Sequence, residues 1–415
     1  MQKLLALKER LKLNLRMIME LRHPVPVAAR LDYRLPLAMI SAKNALRMNS
    51  VSAGQALPDG IGNCQPVLLA PNFIRQSLTC TKLKKDTQML KAAVFSLNGE
   101  EGPHIATLQD AGFELVFQPE GSDLWKEDDL IAAMEGCSAT IAGSEPYTRR
   151  VIENCPELRI VARSGVGFDA VDLEACNEKG ILVTTTPGVN HHAVAEHTIS
   201  LLMGIARDFP KQDQHVRTAS WIRRAFPRVM GTTLGIVGLG RIGQAVATRA
   251  RGLGMNVVAY DPYANKDFAA EWQIDLIPLD DLYARSDYVS LHSPSTPETA
   301  HMINKDSLAK MKPGSVVINT ARGSLIKEVD LIESLKSGHL RGAGLDVYEV
   351  EPLPADSPLL DLDNVLLSGH TAGLDIESHN GMFGMCGEII VALHKGEWPA
   401  AECLQNLPGV TDWKW

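Results

Sequence analysis

The chain has 415 residues, 45% of them hydrophobic and 22% charged, with a net charge of −8. That length allows two domains with a large core, and the acidic balance argues against a nucleic-acid surface. No run approaches the length of an apolar membrane span, and Cys64, Cys80, Cys137, Cys155, Cys176, Cys386 and Cys403 form no CxxC pair, so reduced thiols in a cytoplasmic setting are expected rather than a disulfide frame.

Residues 1–88 differ from the rest. They hold 14 Lys/Arg against 5 Asp/Glu, open with a possible amphipathic helix over Lys3–Arg22, and then break into Pro24, Pro26 and Pro36. Basic, acid-poor and amphipathic is the composition of a transit peptide, which would place the protein in an organellar matrix. A disordered accessory tail and a leader absent from the mature protein are the competing readings, the latter favoured because Met89 is followed at once by the first strand, Ala92–Leu97. In each of them the segment lies outside the globular core, which is expected to start at Met89.

From there the pattern alternates short apolar strands with helical stretches. Ala92–Leu97, Phe113–Phe117, Ala139–Ala142, Arg159–Ala162 and Ile181–Thr184 read as strands, with helices around Ile105–Ala111 and Asp128–Met134. A long helix over about Ala193–Arg207 leads to a second alternating block, Leu234–Leu367. Its strands lie near Leu234–Val237, Met255–Tyr260, Tyr288–Leu291, Ser315–Asn319 and Gly342–Asp346. Alternation at this spacing predicts an α/β protein with two doubly wound parallel sheets. A last helix, about Glu377–Lys395, follows the second block and can return to the first domain. The expected division is 89–190 and 371–415 for a flavodoxin-like substrate domain, with a Rossmann domain, 191–370, inserted between them.

The second block opens with a dinucleotide-binding signature. Gly238, Gly240 and Gly243 sit between the strand Leu234–Val237 and a helix read over Gln244–Leu253, and Asp261 follows at the end of the next strand. The glycines make the turn, admit a pyrophosphate and let helix pack on strand, while the helix amides face the phosphates. A carboxylate at Asp261 would accept from both ribose hydroxyls and repel a 2′-phosphate, so NAD is expected rather than NADP.

Three polar residues follow strand ends of the same block: Arg322, Glu351 and His370. In an open α/β sheet the ligand crevice lies outside those ends, so the three can converge. Arginine offers a charged fork for a carboxylate and an adjacent carbonyl oxygen. Histidine moves protons near neutral pH, and a neighbouring carboxylate holds its ring. Each alone has a plain alternative: a surface ion pair, a turn acid before Pro352, a strand cap.

Over about Met89–Val410 the chain resembles the D-isomer-specific 2-hydroxyacid dehydrogenases, most closely those that act on phosphoglycerate in a short form without a regulatory domain. The resemblance rests on Arg163–Asp172 (RSGVGFDAVD), Thr186–Asn190, Gly238–Gly243, Asn319–Gly323 (NTARG), Gly344–Tyr348 with Glu351-Pro352, and His370–Gly373. It implies that His370 is the acid/base, Glu351 its partner, and Arg322 the group that binds carboxylate and polarises the carbonyl. It implies that Gly165, Val166 and Gly167 form an amide nest for the substrate carboxylate. Arg241 and Ile242 would give amides to the pyrophosphate, and Ser293 would lie on the adenosine side. Thr320, Ala321, Arg322, His370 and Gly373 would surround the nicotinamide, with Asp346 accepting from its amide. No metal is expected. The implied substrate pair is 3-phosphoglycerate and 3-phosphohydroxypyruvate, as in serine biosynthesis, with hydroxypyruvate or glyoxylate reduction second. A homodimer or higher homo-oligomer is implied.

The chain departs from the family at one informative place. Ala142-Gly143-Ser144-Glu145 lacks the cation that usually precedes the serine of that loop. Phosphate recognition would then need Arg149, Arg150 or the Arg223, Arg224 and Arg228 group, which could equally be a solvated face. His191 and His192 are also unusual and could line the cleft or the surface. A rival of another class is an NAD-sensing, corepressor-type binding protein on the same scaffold.

Overall fold

The computed structural model describes residues 90–95, 99–407 and 413–415. The basic leader reading of residues 1–88 falls outside them.

The first lobe is a five-stranded parallel sheet. In chain order its elements are β1 (Leu90–Val94), α1 (Pro103–Asp110), β2 (Phe113–Phe117), α2 (Glu127–Ala133), β3 (Cys137–Ala142), α3 (Arg149–Glu153), β4 (Ile160–Arg163), α4 (Leu173–Lys179) and β5 (Leu182–Thr184). The strand order is β2-β1-β3-β4-β5. Strands β3, β4 and β5 are buried along their whole length, as expected for a parallel sheet covered on both faces. Side-chain caps start the helices: Thr148 accepts from Val151 N ahead of α3, and Asp172 from Ala175 N ahead of α4.

The crossover helix α5 (His191–Arg207) and α6 (Phe209–Arg217) lead into the second lobe. There β6 (Thr233–Val237), α7 (Arg241–Gly252), β7 (Asn256–Tyr260), α8 (Lys266–Glu271), β8 (Asp275–Leu276), α9 (Leu279–Arg285), β9 (Tyr288–Leu291), α10 (Lys305–Lys310), β10 (Val316–Asn319), α11 (Glu328–Lys336), β11 (Gly342–Leu345) and β12 (Val365–Leu367) follow in turn. The seven parallel strands lie in the order β12-β11-β10-β9-β6-β7-β8. The order reverses between β6 and β9, and that switch point is where a doubly wound sheet opens its ligand crevice.

Helix α12 (Ile376–His394), capped by Asp375, returns to the first sheet. Its Phe383, Cys386, Ile389 and Ile390 pack with Ala92, Leu108, Ile141 and Ile160. The segment after it is stitched to β5: Gln405 N donates to Val183 O, and Asn406 accepts from Val183 N and donates to Ile181 O.

Sequence and structure differ at particular ends. Helix α7 starts at Arg241, three residues before the expected Gln244, because Gly243 belongs to its first turn. A Cβ there would lie 2.1 Å from Gly238 O. Helix α6 was not expected: it buries none of its residues, so it has no apolar stripe to read. Strand β1 begins at Leu90, two residues before the expected Ala92, because Lys91 interrupts the apolar run. The five described cysteines are buried and free, and burial pushes the Cys176 and Cys386 thiols up to about 12.

Candidate active site

His370 follows β12, and its Nδ1–H donates to Glu351 Oε2 at 2.7 Å. Glu351 also accepts from Tyr348 N at 3.0 Å through Oε1, which anchors it to the end of β11. Burial pushes the Glu351 carboxyl up, but hydrogen bonding and charge from His370, with a contribution from Arg322, outweigh it and hold the group below its usual range. The carboxylate is therefore charged at neutral pH and fixes the ring with Nε2 directed away from it. The histidine side chain remains 41% exposed. Its backbone is left-handed at φ 55°, a conformation that costs a non-glycine residue about 1–3 kcal/mol and persists only where its surroundings determine it.

Those surroundings centre on Asp346, at the end of β11 and 1% exposed. Its Oδ1 accepts from Ser368 Oγ (2.6 Å) and Thr371 N (2.9 Å), and its Oδ2 from Ala372 N (2.9 Å). His370 N donates to Asp346 O at 2.8 Å. The sequence reading gave Asp346 to the nicotinamide amide; the structure adds that the same carboxylate holds the loop carrying His370. Tyr348 contributes from the other side, its hydroxyl donating to Ser368 O at 2.8 Å.

Arg322 follows β10 and reaches across to the first lobe. Its Nε donates to Asp169 Oδ2 at 2.6 Å and its Nη1 to Ala321 O at 2.6 Å. The guanidinium lies over Gly167, where a Cβ would be 1.5 Å from Nη2. Arg322 and the Gly165–Gly167 loop therefore share one space, and only glycine fits at the contact. Asp169 was missed as a functional candidate although it lies two residues beyond Gly167.

Beneath that loop is a second arginine. Arg163 is 9% exposed; its Nε donates to Gly167 O at 2.9 Å and its Nη1 to Ala142 O at 3.1 Å. Burial raises the carboxyl of neighbouring Glu145, while the Arg163 charge and hydrogen bonds, including Gly143 N at 2.7 Å, oppose the rise. Arg163 thus ties the two first-lobe loops together. Among the described residues the amides of Val166 and Gly167 meet no protein acceptor, which is what an anion nest requires.

At the switch point Gly238 has φ 95°, and a Cβ there would lie 2.7 Å from His292 O and 2.8 Å from Ser293 N. A Cβ on Gly240 would meet nothing within 4 Å, so the turn is open on the side where the helix amides of α7 begin. Asp261 sits beside it: Oδ2 accepts from Leu239 N and Oδ1 from Tyr263 N, both at 2.7 Å. Ile242 is half-buried, while Arg241 is exposed and pairs with Glu402 at 2.8 Å. Thr320 is buried with its hydroxyl 2.8 Å from that of Thr198, and Ala321 N donates to Asn319 Oδ1. Gly373 packs against Asn190, whose Nδ2 would be 2.8 Å from a Cβ at 373.

Residues 199–372 match the family described as D-isomer specific 2-hydroxyacid dehydrogenase, NAD binding domain. A glyoxylate reductase of Korarchaeum cryptofilum is 41% identical over 290 residues, covering 67% of this chain and 87% of the relative. The chain belongs to the D-isomer-specific 2-hydroxyacid dehydrogenases. A D-3-phosphoglycerate dehydrogenase of Mycobacterium tuberculosis is 44% identical over 256 residues, 61% of this chain and 48% of that protein, so the chain spans about half the length of this relative. Among solved structures, the NAD complex of a formate dehydrogenase from Staphylococcus aureus superposes with a TM-score of 0.68 at 27% identity, covering 76% of this chain and 99% of that one. The apo D-lactate dehydrogenase of Escherichia coli gives 0.65 at 32%, covering 74% and 98%.

As a member of this family the protein is an NAD-dependent dehydrogenase, and the open glycine turn with Asp261 beside it fits that cofactor. The basic candidates for phosphate recognition fare differently. Arg149 is held by Glu178 (2.7 Å), Glu174 and Glu153, with Asp172 nearby, and Arg150 by Glu127 and Asp128. Arg224 pairs with Asp208, and Arg228 lines a groove with Met203, Arg207 and Leu253, at the far ends of α5 and α7 from the glycine turn. Three of the five are thus held by carboxylates at the surface, Arg228 lies at the far end of two helices from the glycine turn, and Arg223 is exposed. The rings of His191 and His192 lie 4.1 Å apart and tilted on the first turn of α5, with His192 beside Arg249. Among the described residues no group of three or more His, Cys, Asp or Glu is arranged to hold a metal, and no helix is long and apolar enough to cross a membrane.

Proposed function

We propose that the protein interconverts a short, unphosphorylated D-2-hydroxy acid and its 2-keto acid, glyoxylate or hydroxypyruvate being the keto partner. The observation that carries the reading is the meeting of Arg322 with the Gly165–Gly167 loop, beside a His370 fixed by Glu351. The nest amides of Val166 and Gly167 bind the substrate carboxylate, and Arg322 adds its charge and polarises the carbonyl. Bound NADH supplies the hydride. His370 Nε2 gives the proton to the carbonyl oxygen in reduction and takes it back in oxidation, while Glu351 supports the imidazolium. The first lobe with α12 serves as the substrate domain and the inserted block as the NAD domain; closure of the cleft excludes water.

The unphosphorylated reading is supported by Arg149, Arg150 and Arg224 being held by surface carboxylates and by Arg228 lying at the far ends of α5 and α7 from the glycine turn, whereas the rim of the cleft presents Asp169; Arg223 is the exposed cation left to the phosphoglycerate reading. This reverses the order expected from the sequence. The phosphoglycerate reading is favoured by the 44% identity to the mycobacterial enzymes. Turnover of glyoxylate, hydroxypyruvate and 3-phosphohydroxypyruvate with NADH separates the two, and no turnover with any of them favours an NAD-sensing binding protein. We further propose a homodimer, supported by Phe209, Val216, Trp221 and Ile222, which are 58–81% exposed on α6 and the segment after it. Sedimentation tests it.

A further inference from the structure

Two adjacent residues of the crossover helix reach both walls of the site. His197 Nε2 lies 2.8 Å from Ser368 Oγ, and Ser368 Oγ donates to Asp346 Oδ1 at 2.6 Å. A carboxylate only accepts, so the serine hydroxyl is committed as donor to Asp346 and accepts from His197 Nε2–H. Asp346 in turn holds the amides of Thr371 and Ala372, the two residues that follow His370. Thr198, next along the helix, donates to Val194 O at 2.8 Å and accepts from Thr320 Oγ1, two residues before Arg322. The helix therefore grips the loop of His370 with one side chain and the loop of Arg322 with the next.

We infer that His197 is a positioning residue for His370, acting through Ser368 and Asp346. The inference rests on the reading of His370 as the acid/base. A left-handed His370 is held only by contacts that determine it, and the part-buried chain His197–Ser368, ending on the buried Asp346, is one part of that hold. Without the imidazole, the Ser368 hydroxyl loses its donor and can rotate off Asp346. The loop then relaxes and Nε2 drifts from the substrate oxygen. The glycine turn that holds the dinucleotide phosphates lies beyond β9 and β10 in the sheet and is untouched.

The test compares H197A, H197Q, S368A and the double variant H197A/S368A with wild type and H370A, reading kcat, KM for the best keto acid, NADH affinity by fluorescence, and Tm. H197A is expected to lower kcat roughly 10- to 100-fold, the scale of a misplacement of about 1 Å, with KM and NADH affinity changed much less. H197Q, whose Nε2 still donates, recovers most of that loss, and the double variant is no worse than the stronger single one. Wild-type kcat in H197A or in S368A, with H370A inactive, overturns the inference, as do losses that multiply in the double variant. If H197A does not fold, S368A and H197Q decide by the same criteria. A fully active H370A instead overturns the underlying assignment of the acid/base.

Discussion

A side chain on Gly167 would overlap the guanidinium of Arg322, with its first carbon 1.5 Å from Nη2. Two loops separated by more than 150 residues, one in each lobe, are thus fitted to each other at the proposed substrate nest. Asp169 completes the contact by accepting from Arg322 Nε at 2.6 Å. The arginine is presented to the cleft by the first lobe as much as by its own.

That fit is testable by a single carbon. Gly167→Ala should push Arg322 off the nest and lower kcat/KM by roughly 100-fold, the scale expected when a binding group is displaced by about 1 Å. NADH affinity should be unchanged. Wild-type kcat/KM in the alanine variant would mean that Arg322 takes another position when substrate binds.

The Arg163 support predicts a stability effect. Arg163→Met removes the donor to the carbonyls of Gly167 and Ala142 and the positive charge near the buried Glu145 carboxyl. Leaving a buried carbonyl without its donor costs about 1–3 kcal/mol. Chemical denaturation of wild type and variant measures it, and a loss within the range of an ordinary surface substitution would contradict the role given to Arg163.

Asp261 should set the cofactor preference. It stands at the end of β7 beside the glycine turn, where a 2′-phosphate would meet an unpaired like charge costing several kcal/mol. NAD(H) should be strongly preferred to NADP(H), and Asp261→Ala should narrow the ratio of their kcat/KM values. Equal use of both cofactors by the wild type would contradict the assignment.

How much of this was legible beforehand follows from sequence distance. The glycine turn could be read because strand, turn, helix and acid are contiguous, and Arg322, Glu351 and His370 because each follows a strand. Asp169 and His197 could not, since their partners Arg322 and Ser368 are 153 and 171 residues away and nothing local marks the pairing. Arg163 lay inside a recognised motif, yet its burial beneath the nest depends on strand order. Helix α6 was hidden because it buries no residue, and apolar spacing is what a sequence shows most clearly.

The Glu351–His370 pair makes a pH prediction. The folded pKa of Glu351 lies below the ordinary carboxylate value of 4.5, so its contribution to stability is present above that value and is lost as pH falls through the folded pKa. The stability difference between wild type and Glu351→Gln should therefore shrink as pH falls below 4.5. Denaturation curves from pH 7 to pH 3 follow it; a gap that widens on acidification would contradict the sign.

The central claim is that His370 moves the proton. The most direct measurement is single-turnover oxidation of NADH by the best keto acid in His370→Ala, with NADH affinity measured alongside. Positioned acid–base catalysis is worth roughly 10²–10⁴-fold, so the rate should fall by that factor while NADH binds as in wild type. A near-normal rate in the variant would place the proton transfer elsewhere and contradict the account.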